Sequence, residues 1–130
     1  MTDANPLPPS PIIYPEAKPY WDAAGEGRLM IMRCNDCGDA YFHPRPFCPF
    51  CLSINTVWVQ TAGTGTIYTF THTERAPVFQ VPAMVALDEG PIMMSAIVEC
   101  APQSVAIGQR VAVTFVPTAD GVALPAFRPL

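Results

Sequence analysis

The sequence carries little charge: only 14% of its 130 residues are Asp, Glu, Lys or Arg, the net balance is -4, and no cluster of basic residues occurs anywhere. A phosphate backbone is held by a surplus of Lys and Arg, so the composition disfavours nucleic acid as the main partner. The chain also lacks any apolar run near the roughly 18 residues that a membrane-spanning helix requires. Its opening stretch, MTDANPLPPSPII, has neither a basic segment nor a continuous apolar one. A cytoplasmic chain with no membrane partner is the expectation. Histidine is scarce, with only His43 and His72, and neither has the neighbours in sequence that a nucleophile relay needs. Gly-rich phosphate loops, paired-carboxylate motifs and dinucleotide fingerprints are absent. The sequence predicts no catalytic constellation of its own.

What is present is apolar and heavily punctuated. Half of the residues are hydrophobic, which rules out a disordered tail, while 16 prolines and 8 glycines disfavour long helices and favour short strands joined by turns. Residues 1 to 19 hold Pro6, Pro8, Pro9, Pro11, Pro15 and Pro19, a density that predicts an extended leader without a hydrogen-bonded element. Ile12, Ile13 and Tyr14 within it are apolar groups free to lie on the body or on a partner. Tyr20 to Arg28 predicts two turns of helix ended by Gly25 or Gly27.

Leu29 to Arg33 and Ala40 to Phe42 read as a hairpin around the first cysteine pair. From Thr56 onward the pattern is β. TVWVQT is a strand, Gly63 and Gly65 mark a bend, and Thr66 to Glu74 alternates Tyr68, Phe70 and His72 on one face with Ile67, Thr69 and Thr71 on the other. Arg75 to Val81 reads as a loop. Ala83 to Asp88 and Ile92 to Glu99 form a hairpin turning at Glu89-Gly90, and Arg110 to Val116 and Gly121 to Phe127 complete the set. The expected organisation is a leader over residues 1 to 19, a helix and metal ribbon over 20 to 55, and an OB-fold barrel over 56 to 130. A small β-sandwich is the other arrangement that the strand pattern allows.

The cysteine spacing carries the most chemistry. Cys34 and Cys37 form one Cys-x2-Cys pair, Cys48 and Cys51 form a second, and Cys100 stands alone. Each pair delivers two thiolates from one tight turn, and two turns complete a tetrahedral shell. Rubredoxin-type iron uses similar knuckles, a catalytic zinc needs an open position that four thiolates do not leave, and a redox dithiol needs only one pair. One structural Zn2+ held by Cys34, Cys37, Cys48 and Cys51 is the reading. Gly38, directly after the first pair, suits the positive φ that such a knuckle needs, whereas the matching position of the second pair is Leu52. With Arg28, Arg33 and Arg45 against Asp36 and Asp39, the zinc-loaded ribbon comes to about -1, again unsuited to phosphate.

His43 is expected to be a surface hydrogen-bonding residue, His72 a partly exposed barrel residue or partner contact, and Cys100 a buried small side chain. Pro77, Val78 and Phe79, with the leader at Ile12 to Tyr14, are apolar groups in segments unsuited to complete burial, and so are candidates for a partner interface.

The order of parts, an aromatic helix ending at Gly27-Arg28-Leu29, the ribbon RCNDCGDAYFHPRPFCPFC with its Pro44-Arg45-Pro46 run, a Gly-Thr-Gly-Thr bend, LDEG, IGQRV and a closing LPAFRP, resembles the rubredoxin-like zinc-ribbon and OB-fold acyl-CoA-associated family, long labelled domain of unknown function thirty-five. The resemblance covers about residues 20 to 129 and departs from the family at Leu52. It implies a non-catalytic subunit that binds and stabilises a thiolase-superfamily enzyme and helps form its acyl-CoA site. Acyltransferases, 3-hydroxy-3-methylglutaryl-CoA synthases and the aldolases that shorten steroid side chains held as CoA thioesters are the partners it implies. Two other readings stand beside it. A stand-alone acyl-CoA-binding module would set Arg75, Arg110 or Arg128 against phosphates and Phe79 against the acyl chain. A nucleic-acid-binding ribbon and barrel meets the acidic balance described above.

Overall fold

The structure, a computed structural model, describes residues 7–130. It is mostly β, with one short helix, α1 (Lys18–Ala24), and eight strands: β1 (Met30–Cys34), β2 (Ala40–Tyr41), β3 (Thr56–Gln60), β4 (Thr64–Phe70), β5 (Pro82–Leu87), β6 (Ile92–Ala96), β7 (Arg110–Pro117) and β8 (Ala123–Pro129). They form a three-stranded sheet in the order β2-β1-β3 and a five-stranded sheet in the order β6-β5-β4-β7-β8.

The larger sheet curls until its two ends meet. A parallel bridge joins Ile97 to Phe127, the Val98 N–H donates to the Phe127 carbonyl at 2.7 Å, and the Ser95 hydroxyl donates to the Pro125 carbonyl at 3.1 Å. That closure makes the sheet an OB-type half-barrel, as expected from the strand pattern. Its interior holds Ile67, Val85, Val111 and Phe127, none more than 1% exposed. Gly65 lies inside β4 rather than at a bend, because a Cβ there would sit 2.6 Å from the Ala86 carbonyl oxygen and 2.9 Å from a Val85 methyl. Only a residue without a side chain lets β4 and β5 approach so closely.

Several expectations give way to non-local contacts. The strand Thr56–Gln60, assigned above to the barrel, pairs along its whole length with β1, Met30 opposite Gln60 and Cys34 opposite Thr56. Leu29 and Ile31 from the ribbon side, and Tyr20 from α1, join the same apolar cluster as Ile67, Val85 and Phe127. Ribbon and barrel therefore share a core at the ribbon's root. The alternation foreseen for residues 66 to 74 is broken by a register shift between Ile67 and Thr69. Tyr68 is the extra residue and is 60% exposed, while Phe70 packs against the core that its predicted face would have left.

The proline-rich start does not exclude hydrogen-bonded structure through residue 19. Pro15 opens a 3-10 turn (Pro15–Ala17), and α1 begins at Lys18 with Pro19 in its first turn. A first-turn N–H has no intrahelical acceptor, so proline there forfeits nothing. The helix ends as Arg28 N–H donates to Ala23 O and Gly27 N–H to Ala24 O. Upstream, the Ser10 hydroxyl donates to Thr118 Oγ1 at 3.0 Å and accepts from the Asp120 N–H at 3.1 Å. This pins the leader to the β7–β8 turn while Ile12 and Tyr14 stay exposed. Pro6 of the predicted leader lies outside the described residues.

Candidate metal centre and surrounding surfaces

The ribbon presents its cysteines from two knuckles of the same build. Cys34 closes β1, and the Gly38 N–H returns to the Cys34 carbonyl at 2.9 Å; in the second knuckle the Leu52 N–H returns to the Cys48 carbonyl at 2.9 Å. The Cys37 N–H donates to Cys34 Sγ and the Phe50 N–H to Cys48 Sγ, each at 3.4 Å. Gly38 has φ +82° and Leu52 φ +65°. Leu52 thus adopts the conformation that its glycine counterpart adopts, and the second knuckle keeps the geometry of the first.

The four sulfurs lie within 4.8 Å of one another. Cys34 and Cys51 are 3.6 Å apart and Cys37 and Cys48 3.7 Å apart. Tetrahedral zinc with Zn–S bonds of about 2.3 Å places sulfurs roughly 3.8 Å apart, so the donor set fits one such ion. Cys34 and Cys48 are fully buried and Cys37 and Cys51 exposed. The Cys37 N–H beside it is the main influence drawing the Cys34 thiol down to about 7, whereas the thiols of Cys37 and Cys51 are pushed up. A polar strut ties the knuckles: Ser53 Oγ donates to Asp36 at 2.5 Å, Asn55 Nδ2 donates to Asp36 at 3.2 Å, and the Asn35 N–H donates to the Asn55 carbonyl at 2.9 Å. The Ser53 hydroxyl, followed by Asn55, holds the Asp36 carboxyl below its usual range. Beneath the sulfurs the apolar support is small, Met32 and Tyr41 with Trp58 against them.

The other predicted residues are scattered around the barrel. His72 is exposed and its Nε2 lies 2.8 Å from the Pro102 carbonyl. Pro77 is exposed but Val78 and Phe79 are half-buried, lining a cleft of about 340 Å3 with Cys100 and Pro102. Phe79 is therefore less available than its loop position implied. Cys100 is half-buried rather than buried. Arg75 and Arg128 are exposed. Arg110, weighed above as a phosphate contact, is engaged: it grips Asp88 through both terminal nitrogens at 2.7 and 2.9 Å. His43 is exposed and does not join the sulfurs; its carbonyl accepts the Arg45 Nε–H at 3.2 Å.

Two features escaped the sequence reading. Phe50, Leu52 and Ile54 of the second knuckle are 64, 70 and 84% exposed. Arg45 and His43 together line two separate clefts of about 500 Å3 each, one against α1 and the barrel, the other against the leader. Pro44-Arg45-Pro46 was visible as a motif, but the apolar partners that surround it come from distant parts of the chain.

A four-cysteine ribbon rooted on a curled five-stranded OB-type half-barrel defines a zinc-ribbon/OB-fold protein. Family comparison agrees in both halves: residues 21–55 match the family described as ChsH2, rubredoxin-like zinc ribbon domain, and residues 58–116 that described as ChsH2, C-terminal OB-fold domain. The chain belongs to the DUF35 family. It is 34% identical over 94 residues to a DUF35 domain-containing scaffold protein of Methanocaldococcus jannaschii, covering 67% of each chain. It is also 34% identical over 128 residues to a probable enoyl-CoA hydratase alpha subunit of Thermomonospora curvata, with 95% of this chain matched but only 40% of that protein's length. Among solved structures, a chain of the Ltp2-ChsH2(DUF35) aldolase superposes with a TM-score of 0.79 and 34% identity, over 92% of this chain and 98% of that one. Among the described residues no helix is long and apolar enough to cross a membrane.

Proposed function

We propose that this chain is a non-catalytic accessory subunit that binds and stabilises a thiolase-superfamily enzyme acting on acyl-CoA, an aldolase or acyltransferase, and helps form its acyl-CoA site. The observation that carries the reading is the near full-length likeness to a chain of the Ltp2-ChsH2(DUF35) aldolase. The scaffold designation of the Methanocaldococcus relative points the same way. In this reading the reacting groups belong to the partner, and carbon–carbon bond cleavage by an aldolase is the reaction class that the likeness favours.

Cys34, Cys37, Cys48 and Cys51 are the ligands of one structural zinc, which supplies the ribbon with cohesion that its small apolar cluster lacks. The ribbon unit takes residues 20 to 60, since β3 completes its sheet, and the barrel takes the remainder. Five cysteines with no disulfide among them fit a cytoplasmic setting. Pro77, Val78 and Phe79, which line one cleft, and Arg75, His72 and Arg128 elsewhere on the barrel are the contact candidates for the partner or its acyl-CoA. A stand-alone acyl-CoA site is the weaker reading, because Arg110 is already paired.

The test is co-expression with a thiolase-superfamily enzyme from the same genome, followed by size-exclusion chromatography. A stoichiometric zinc-containing complex supports the reading, and separate elution of two folded proteins overturns it. Within such a complex, Phe79→Asp is expected to weaken assembly without lowering the zinc content of the free chain; unchanged assembly removes the 72 to 79 region from the interface.

A further inference from the structure

The Pro44-Arg45-Pro46 run is absorbed neither by the metal centre nor by the barrel core. Pro44 is buried and Arg45 half-buried. The backbone of Arg45 is fixed by the Tyr41 hydroxyl, which donates to its carbonyl at 2.8 Å, and its Nε is fixed by the bond to the His43 carbonyl at 3.2 Å. Among the described residues its two terminal nitrogens donate to nothing, and it takes part in none of the ion pairs. Glu16 lines one of the same clefts without reaching it. A guanidinium so anchored is a planar fork of charged donors set in place at little further entropic cost.

The walls around this fork are apolar and open. On the leader side stand Tyr14 and Phe47, 57 and 43% exposed; on the other side stand Trp21, with Ile92 and Met94, 39 and 72% exposed. A small-molecule pocket buries its apolar lining, whereas a protein interface presents aromatic, Met and Arg side chains outward around a central polar contact. The fork's positive charge within an apolar surround selects the complement: a carboxylate flanked by apolar side chains.

We propose that Arg45 is an anchor point at which an Asp or Glu side chain of the enzyme subunit docks, with apolar neighbours of that residue entering the two clefts on either side. This rests on the accessory-subunit reading and assigns it a second contact region, distinct from residues 72 to 79.

The experiment measures the dissociation constant between the full chain and a purified thiolase-superfamily enzyme from the same genome that forms a complex with it, for wild type, Arg45→Gln, Arg45→Glu and Met94→Asp, with zinc content and melting temperature of each free variant as folding controls. The expected result is a loss of affinity of about 10-fold for Arg45→Gln, about 100-fold for Arg45→Glu and at least about 10-fold for Met94→Asp, with zinc content unchanged. Wild-type affinity in all three variants overturns the inference and leaves the accessory role standing. No complex between the wild-type chain and any such enzyme overturns both. Each variant is also titrated with free CoA; saturable binding to the isolated wild-type chain that Arg45→Glu abolishes assigns the clefts to a small anion and overturns the docking proposal.

Discussion

Leu52 repeats the backbone of Gly38. Both follow the second cysteine of a knuckle, both lie in the left-handed region, at φ +65° and +82°, and both send an N–H back to the carbonyl of the knuckle's first cysteine at 2.9 Å. The knuckle geometry dictates this conformation, and glycine adopts it without the steric conflict between Cβ and carbonyl that leucine meets.

Replacing Leu52 by Gly is therefore expected to stabilise the zinc-loaded ribbon. Left-handed backbone costs a non-glycine residue about 1–2 kcal/mol, against about 0.5–1 kcal/mol for glycine's greater freedom in the unfolded chain. Leu52 is 70% exposed, so little burial is lost. Denaturant titration followed by tryptophan fluorescence should show a gain of about 0.5–1 kcal/mol for Leu52→Gly; Leu52→Ala, which keeps the conflict, should show none.

Zinc removal is expected to act unevenly. Leu29 and Ile31 are held in the barrel core, whereas the knuckles rest on Met32 and Tyr41. Hydrogen exchange after chelation should show loss of protection across residues 34 to 55, with β4 to β8 retaining theirs, and Cys34 and Cys48, buried in the folded ribbon, should become reactive to thiol reagents. Persistent protection of the knuckles after complete zinc loss would contradict this.

Gly65→Ala should destabilise the barrel. Its Cβ would meet the Ala86 carbonyl oxygen at 2.6 Å, and neither strand can yield without breaking β4–β5 pairing. Overpacking of this kind costs about 1–3 kcal/mol, read as a lower denaturation midpoint with zinc content unchanged.

The Asp88–Arg110 pair gives a signed pH dependence. Hydrogen bonds from Arg110 and then Thr64 hold the Asp88 carboxyl well below the usual carboxylate range. The unfolded chain therefore takes up this proton first, so the pair's contribution is complete above the unfolded value of about 3.9 and drains away as pH falls below it toward the folded value. Both side chains are substantially exposed, at 49 and 39%, so the effect is modest and weakened by salt. Between about pH 5 and pH 2 the melting temperature of wild type should fall more steeply than that of Asp88→Asn.

What could be read from the sequence was what is local. The cysteine pairs were legible because each knuckle is made within five residues, and the strands of the barrel because alternation and glycines repeat at short range. The pairing of Thr56–Gln60 with Met30–Cys34 was not, since a strand carries no mark of which distant neighbour it will meet. Nor was the shift at Tyr68, where one extra residue reverses the faces without disturbing the apparent period. Pro15 falls in the stretch expected to be extended, although at a first turn proline is compatible with helix, whereas Pro19 marks the helix start in sequence and structure alike. Arg45 stood out only as part of a motif; its surroundings are assembled from the leader, α1, β6 and the ribbon.

The central claim, that this chain serves a catalytic partner, is tested most directly by measuring acyl-CoA turnover with the chain alone, the thiolase-superfamily partner alone, and the reconstituted pair. The account predicts no turnover by the zinc-loaded chain alone and activity in the pair well above that of the partner alone. Turnover of a thioester by the purified chain unaided, or a partner whose stability and activity are indifferent to its presence, would contradict it.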